Sequence, residues 1–76
     1  MNKEVQQAWR DKAKGIVKSE MALRNMGYAE LAERLKLLGI DENPPNLSNK
    51  ICRGAFGADF MLQVLTAIGC ERVHLK

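Results

Sequence analysis

Helix-breaking residues divide the sequence after residue 26 into short segments. These residues are Gly27, Gly39, Pro44, Pro45, Gly54 and Gly69. Proline cannot continue a helix, and glycine commonly stands just past a helix end. Between the breaks, apolar residues recur every three or four positions, as they do on one face of a helix. The pattern predicts an all-α fold in which three short helices span about 29–38, 46–53 and 58–68.

A longer amphipathic segment precedes these breaks. Residues 3–26 have the length and period of one helix, which we expect Gly27 to end. Its apolar line consists of Val5, Trp9, Ile16 and Leu23. We expect this line to face the core, with Trp9 as a core residue or an anchor in a dimer interface. Gly15 interrupts the run, so two shorter helices that meet there are the alternative. A coiled-coil seam is disfavoured because the line covers few heptads and is often interrupted.

The segment 46–53 has two chemically different sides. Asn46 follows the prolines and is expected to cap the helix, with Ser48 as a second candidate for the cap. Leu47 and Ile51 form an apolar side, whereas the other side carries amide, hydroxyl and basic groups. A helix presented to DNA needs both sides, because one must anchor it and the other must reach base edges and phosphates.

The last predicted helix has the richest apolar face in the chain. This face consists of Phe60, Met61, Val64, Leu65 and Ile68. We therefore expect helix 58–68 to be the central buried helix. Phe56 stands between Gly54 and Gly57 and is expected to fold back into the core.

Polar and apolar residues alternate at the C-terminus, over residues 71–76. This run is too short to stand alone. It forms either a short edge β-strand that pairs with the same strand of a second copy, or a tail packed on the helices. Val73 and Leu75 are therefore candidate dimer-interface residues together with Trp9, while His74 is expected to be solvated.

Composition limits the classes of function. The 76 residues form one domain, 1–76, and the net charge of +3 with a pI near 9.1 favours an anionic partner. No apolar run approaches the ~20 residues of a membrane span. No secretory pattern is present, so we expect a cytoplasmic protein. Cys52 and Cys70 are expected to be small buried apolar residues. Together with His74 they do not supply four donors, so we expect no metal site.

Catalytic signatures are missing from the sequence. There is no nucleophile beside a base and no phosphate-binding glycine loop. Glu30 and Glu33 are expected to lie on a solvated helix face, where Glu30 pairs with Arg34 four positions later. We therefore expect a protein that is not an enzyme, with no catalytic residues, no cofactor and no small-molecule ligand.

The order of these segments resembles the repressor/Cro-type helix-turn-helix domain. The residues that carry the resemblance are Tyr28 to Leu35, the polar segment 46–53, Arg53-Gly54 and the apolar helix that ends at Gly69. The resemblance implies that 46–53 is the recognition helix. From Trp9 onward the chain more closely resembles a family of small uncharacterised bacterial proteins, which has no established activity. The departures from the repressor pattern are the longer connection 39–45, Tyr28 at a cap position and Cys52 before Arg53.

These observations predict a DNA-binding protein, a small bacterial or phage-type transcriptional regulator that acts on double-stranded DNA as a homodimer. The expected DNA-binding residues are Asn46, Ser48, Asn49, Lys50, Arg53, Arg34 and Lys36. Asparagine can pair with adenine, and basic side chains reach guanine or phosphate. The alternative is a protein-interaction module or antitoxin-like subunit that does not read DNA.

Overall fold

The computed structural model describes residues 1–75, which form four α-helices. They are α1 (Lys3–Leu23), α2 (Tyr28–Leu37), α3 (Pro44–Arg53) and α4 (Ala58–Ala67). Helices α3 and α4 each pack against both α1 and α2. The predicted all-α, four-helix domain is therefore confirmed, and the differences lie in helix ends and in the orientation of α1.

Helix α1 ends at Leu23, before the predicted boundary at Met26. Asn25 has a positive φ of 51°, and the Met26 amide donates to the Met21 carbonyl at 2.9 Å. A left-handed residue followed by a backbone hydrogen bond that spans six residues is the Schellman motif. Here asparagine takes the place of the usual glycine. Gly27 is therefore not the stop of α1. Its extended backbone instead precedes α2 as the N-cap.

The predicted orientation of α1 is wrong. Its buried residues are Val17 and Met21. The side chains of the predicted core line are largely exposed, with exposed fractions of 44% for Val5, 59% for Trp9 and 77% for Leu23. Apolar residues occur on two sides of α1, and α3 and α4 cover the side that carries Val17 and Met21. Gly15 lies inside one continuous helix, so the alternative of two shorter helices is wrong too.

The core is a single cluster of apolar side chains from all four helices and the turn after α1. Its members are Val17, Met21, Met26, Leu31, Leu35, Leu47, Ile51, Val64, Leu65 and Ile68. The predicted apolar face of α4 is confirmed, with Phe60 and Met61 partly buried against this cluster. Phe56 is also partly buried, and its ring centre lies 5.5 Å from that of Phe60.

Helix α3 begins earlier than predicted. The Asn43 side chain accepts a hydrogen bond from the Asn46 amide at 2.9 Å, so Asn43 is the N-cap. Pro44 and Pro45 occupy the first turn of the helix. Proline is favourable there because the amides of the first turn have no intrahelical partner. The predicted caps at Asn46 and Ser48 are therefore wrong.

Residues 38–43 connect α2 to α3. Gly39 has a φ of +82°, and the Ile40 amide donates to the Leu35 carbonyl at 2.9 Å, which again closes a helix with a Schellman motif. Ile40 packs against the core. The connection is therefore held at both ends, by Ile40 after α2 and by the Asn43 cap before α3.

A third Schellman motif ends α4 and precedes the C-terminal segment. The Cys70 amide donates to the Leu65 carbonyl at 2.9 Å, and Gly69 has a φ of +84°. Residues 71–75 form neither helix nor strand and are exposed, so the predicted edge strand is not formed in this part of the chain. Lys76 lies outside the described residues. None of the described helices has the length and apolar character needed to cross a membrane.

Candidate nucleic-acid interface

Helix α3 is held in the domain by one side and exposes the other. Leu47 and Ile51 are fully buried, which confirms the predicted apolar side. Asn46, Asn49 and Arg53 are exposed. At about 100° per residue, these three residues lie together on the side opposite to Leu47 and Ile51. Because Asn43 is the cap, the Asn46 side chain is not required for capping.

Gly54 lies at the end of α3, in close contact with α1. It has a φ of +67°, and its amide donates to the Ile51 carbonyl at 3.1 Å. A Cβ atom at this position would lie 2.5 Å from the Arg10 carbonyl oxygen of α1. Only glycine allows both the left-handed backbone and this close approach. The Arg53-Gly54 pair therefore ends α3 directly against the backbone of α1.

Lys50 is engaged within the domain. Its ammonium group donates to the Glu42 carboxylate at 2.5 Å and lies 5.1 Å from the centre of the Phe60 ring. The Glu42 side chain is only 10% exposed, whereas that of Lys50 is 49% exposed. Lys50 therefore neutralises a carboxylate in the connection between α2 and α3. A DNA contact by Lys50 would have to compete with this ion pair.

The predicted basic residues of α2 do not share one environment. Arg34 pairs with Glu30 at 3.2 Å, as the sequence predicted, and also donates to the Ala67 carbonyl at 3.4 Å. It is thus engaged at the end of α4. Lys36 is exposed near the C-terminus of α2.

A basic flank on α1 was missed by the sequence reasoning. Arg10, Lys14 and Lys18 recur every fourth residue, which places them along one side of the helix. The Arg10 carbonyl approaches Gly54, and Lys18 lies close to the Cys52 thiol, so this side of α1 runs beside α3. The four-residue spacing of the three basic residues was visible in the sequence, but which helix they border depends on packing.

Cys52 is exposed, so its predicted burial is wrong. Its sulfur lies 3.9 Å from the Tyr28 hydroxyl and 4.0 Å from the Ser48 hydroxyl. The Tyr28 hydroxyl, followed by the Ser48 hydroxyl and the Lys18 ammonium, lowers the pKa of the Cys52 thiol. Burial of the ring, together with Cys52, raises the pKa of Tyr28. Ser48 is half-buried and faces Cys52, at the edge of the exposed side of α3.

Among residues 1–75, no three histidine, cysteine, aspartate or glutamate side chains lie close enough together to hold a metal ion. The Cys70 thiol donates to the Arg72 carbonyl at 3.1 Å and is half-buried. Cys52 and Cys70 thus have different local partners.

Residues 9–73 match the family described as a domain of unknown function, DUF6471, and the chain belongs to that family. No curated protein and no solved structure matches the chain significantly. The family description names no activity, in agreement with the predicted resemblance to an uncharacterised family from Trp9 onward. The resemblance to repressor/Cro domains stays a hypothesis.

Proposed function

We propose that this DUF6471 protein binds double-stranded DNA as a small bacterial or phage-type transcriptional regulator, with α3 in the major groove. The observation that carries the proposal is the exposed side of α3, where Asn46, Asn49 and Arg53 lie opposite the buried anchor residues. In the repressor-like arrangement, this helix reads bases while its neighbours contact the backbone.

The side chains on this face have the chemistry that groove recognition requires. The major groove is about 12 Å wide and admits an α-helix. An asparagine amide such as that of Asn49 can donate to and accept from adenine at the same time. Arg53 can pair with guanine or with a phosphate, because its planar donors match both. Together these groups combine base readout with positioning.

The basic flank on α1 supplies the electrostatic part of the proposal. Arg10, Lys14 and Lys18 run beside α3 and add to the charge of Arg53. Each phosphate that a basic side chain neutralises releases counterions, and contributes about −0.9 to the slope of log K against log salt concentration. The proposed complex therefore forms through several salt-sensitive contacts around one polar helix.

We assign Lys50 a smaller role in DNA binding than the sequence alone predicted. The ion pair with Glu42 keeps its ammonium group beside the connection that precedes α3. We assign it to the support of α3, and we assign the direct contacts to Asn49 and Arg53.

The first experiment is a titration of the full chain against a labelled random duplex at increasing salt. We expect binding at low salt that weakens steeply as the salt concentration rises. Absence of binding at low salt would reject the proposal. A selection from random duplexes then defines the preferred bases.

Matched variants locate the interface. Arg53→Ala should weaken binding to all duplexes and make the salt slope less negative by about 1 if Arg53 contacts phosphate. Arg72→Ala removes the same charge from the exposed tail and should leave binding nearly unchanged. Asn49→Ala should reduce discrimination between bases more than it reduces binding to random sequence. Equal effects of Arg53→Ala and Arg72→Ala would indicate a non-specific charge effect.

The second candidate function is a protein-interaction module or antitoxin-like subunit. The observation in its favour is the exposed Trp9, which borders an apolar groove of about 310 Å³ together with Met61 and Leu75. A protein that fails to bind DNA at low salt but binds another protein in a Trp9-dependent manner would support this function.

A further inference from the structure

The outward side of α1 carries two neighbouring rows of residues that repeat every seventh position. The large apolar row consists of Trp9, Ile16 and Leu23, and the small row consists of Ala8, Gly15 and Ala22. Five of these residues are exposed, and Ile16 is half-buried. Seven residues make nearly two turns, so each row stays on one side of the helix. Neither row belongs to the buried core of the domain.

Gly15 has no structural requirement within its own chain. Its φ is not positive, and a Cβ atom there would meet nothing within 4 Å. Glycine is unfavourable inside a helix, and it is typically used where another backbone must approach closely. Beside it lies an open depression of about 380 Å³ that is also bordered by Ile16, Ser19, His74 and Leu75. The position of this glycine is explained if a second helix packs there.

We infer that α1 pairs with α1 of a second copy of this chain, in antiparallel orientation about a two-fold axis between residues 15 and 16. In this arrangement positions whose numbers sum to 31 lie at the same height, and the axis keeps each row on its own side of the pair. The large row therefore packs along the large row of the second copy, with Trp9 beside Leu23 and Ile16 beside Ile16, while the small row packs along the small row. Apolar side chains meet on one side of the pair, and the small row lets the two backbones approach closely on the other. This is the self-complementarity that a two-fold interface requires.

The charges along α1 favour the antiparallel orientation over the parallel one. Lys12 lies between the two rows, 5.4 Å from the centre of the Trp9 ring. A parallel pair in register would place Lys12 against Lys12 of the second copy, whereas the antiparallel pair places it opposite Ser19. On the flank beyond the small row, Asp11 approaches Lys18 of the second copy. Opposite charges at these flanking positions set the orientation of helix pairs.

The length of α1 is sufficient for a stable contact. It contains 21 residues and is therefore about 31 Å long. The longest dimension of the domain is 38 Å, so paired helices would contact each other along most of it. Helix α3 packs on a different side of α1, where the Arg10 carbonyl approaches Gly54. The inference does not rest on DNA binding, and pairing through α1 leaves both copies of α3 exposed.

Sedimentation velocity of the full chain over a range of concentrations tests the pairing directly. We expect a monomer–dimer equilibrium. Trp9 is the single tryptophan of the chain and is 59% exposed. Its fluorescence should therefore shift to shorter wavelength as the protein is concentrated, because pairing removes the indole from water. A chain that stays monomeric up to millimolar concentration would overturn the inference.

Two substitutions at one position separate pairing from folding. Gly15→Leu projects a side chain into the depression, and a Cβ atom at this position meets nothing within 4 Å. We expect it to retain the helix content of the wild type and to raise the dimer dissociation constant about tenfold or more. Gly15→Ala keeps the small row and should still form the dimer.

Helix α2 supplies the contrasting case. Leu37→Ala removes an apolar side chain that is 87% exposed and lies away from α1. We expect a smaller effect on the dissociation constant than that of Gly15→Leu. A dimer that survives Gly15→Leu with unchanged affinity, or that is lost only in Leu37→Ala, would overturn the inference. DNA binding is measured separately, so failure of one proposal is distinguishable from failure of the other.

Discussion

Gly54 offers the sharpest test of how α3 is attached to the domain. Its backbone is left-handed, with a φ of +67°, and a Cβ atom there would lie 2.5 Å from the Arg10 carbonyl oxygen. The left-handed region costs a residue with a Cβ atom about 1–2 kcal/mol. Insertion of a methyl group into a close-packed contact costs about 1–3 kcal/mol more. We therefore expect Gly54→Ala to lower the free energy of unfolding by about 2–5 kcal/mol.

Gly39→Ala is the matched control. Gly39 has a φ of +82°, but a Cβ atom there would meet nothing within 4 Å. Its substitution should carry only the backbone cost of about 1–2 kcal/mol. The difference between the two variants therefore measures the close approach of α3 to α1, apart from the shared conformational cost.

Thermal and urea unfolding at one protein concentration provide the measurement. A domain of this size shifts its melting temperature by about 4–8 °C for each kcal/mol. The expected decrease is about 4–16 °C for Gly39→Ala and about 8–40 °C for Gly54→Ala. Equal decreases would refute the reasoning, because they would mean that the approach of Arg10 to Gly54 contributes nothing. In that case α1 and α3 would not be in contact at this point.

Three further predictions concern other contacts. Lys50→Ala leaves the largely buried carboxylate of Glu42 without its partner, so we expect a loss of about 1–3 kcal/mol of stability in urea unfolding; an unchanged midpoint would contradict the ion pair. Asn25→Ala should lower stability by about 1 kcal/mol and Asn25→Gly should not, because only alanine is strained at positive φ; equal melting temperatures would contradict this. The lowered pKa of Cys52 raises its thiolate fraction at any pH below the ordinary thiol pKa. Alkylation of Cys52 should therefore begin at lower pH than in the unfolded chain. Tyr28→Phe should move that profile to higher pH, and an unmoved profile would exclude the hydroxyl as the cause.

The candidate interface was only partly predictable. The buried side of α3 follows from the helical spacing of Leu47 and Ile51, which depends on the backbone period alone. The cap at Asn43 was missed because the two prolines were interpreted as part of the connection, although proline fits the first helical turn. The engagement of Lys50 was also missed, since Glu42 lies in the connection before the helix and its position depends on the path of that loop.

The sequence by itself determined the number of helices, their approximate limits and the apolar faces of α3 and α4. These features depend on contacts between residues a few positions apart, which glycine, proline and helical periodicity encode directly. The Schellman motif at Asn25 is harder to predict from the local sequence, because asparagine adopts a left-handed backbone less commonly than glycine.

Only the tertiary structure decided which side of α1 enters the core. The helix has apolar residues on two sides, and hydrophobic periodicity alone cannot choose between them. Packing of α3 and α4 buries Val17 and Met21, and it leaves Trp9 and Leu23 on the surface. The same packing places Arg10 and Lys18 beside α3. Burial depends on which surfaces meet in space, and residues far apart in the chain make that choice together.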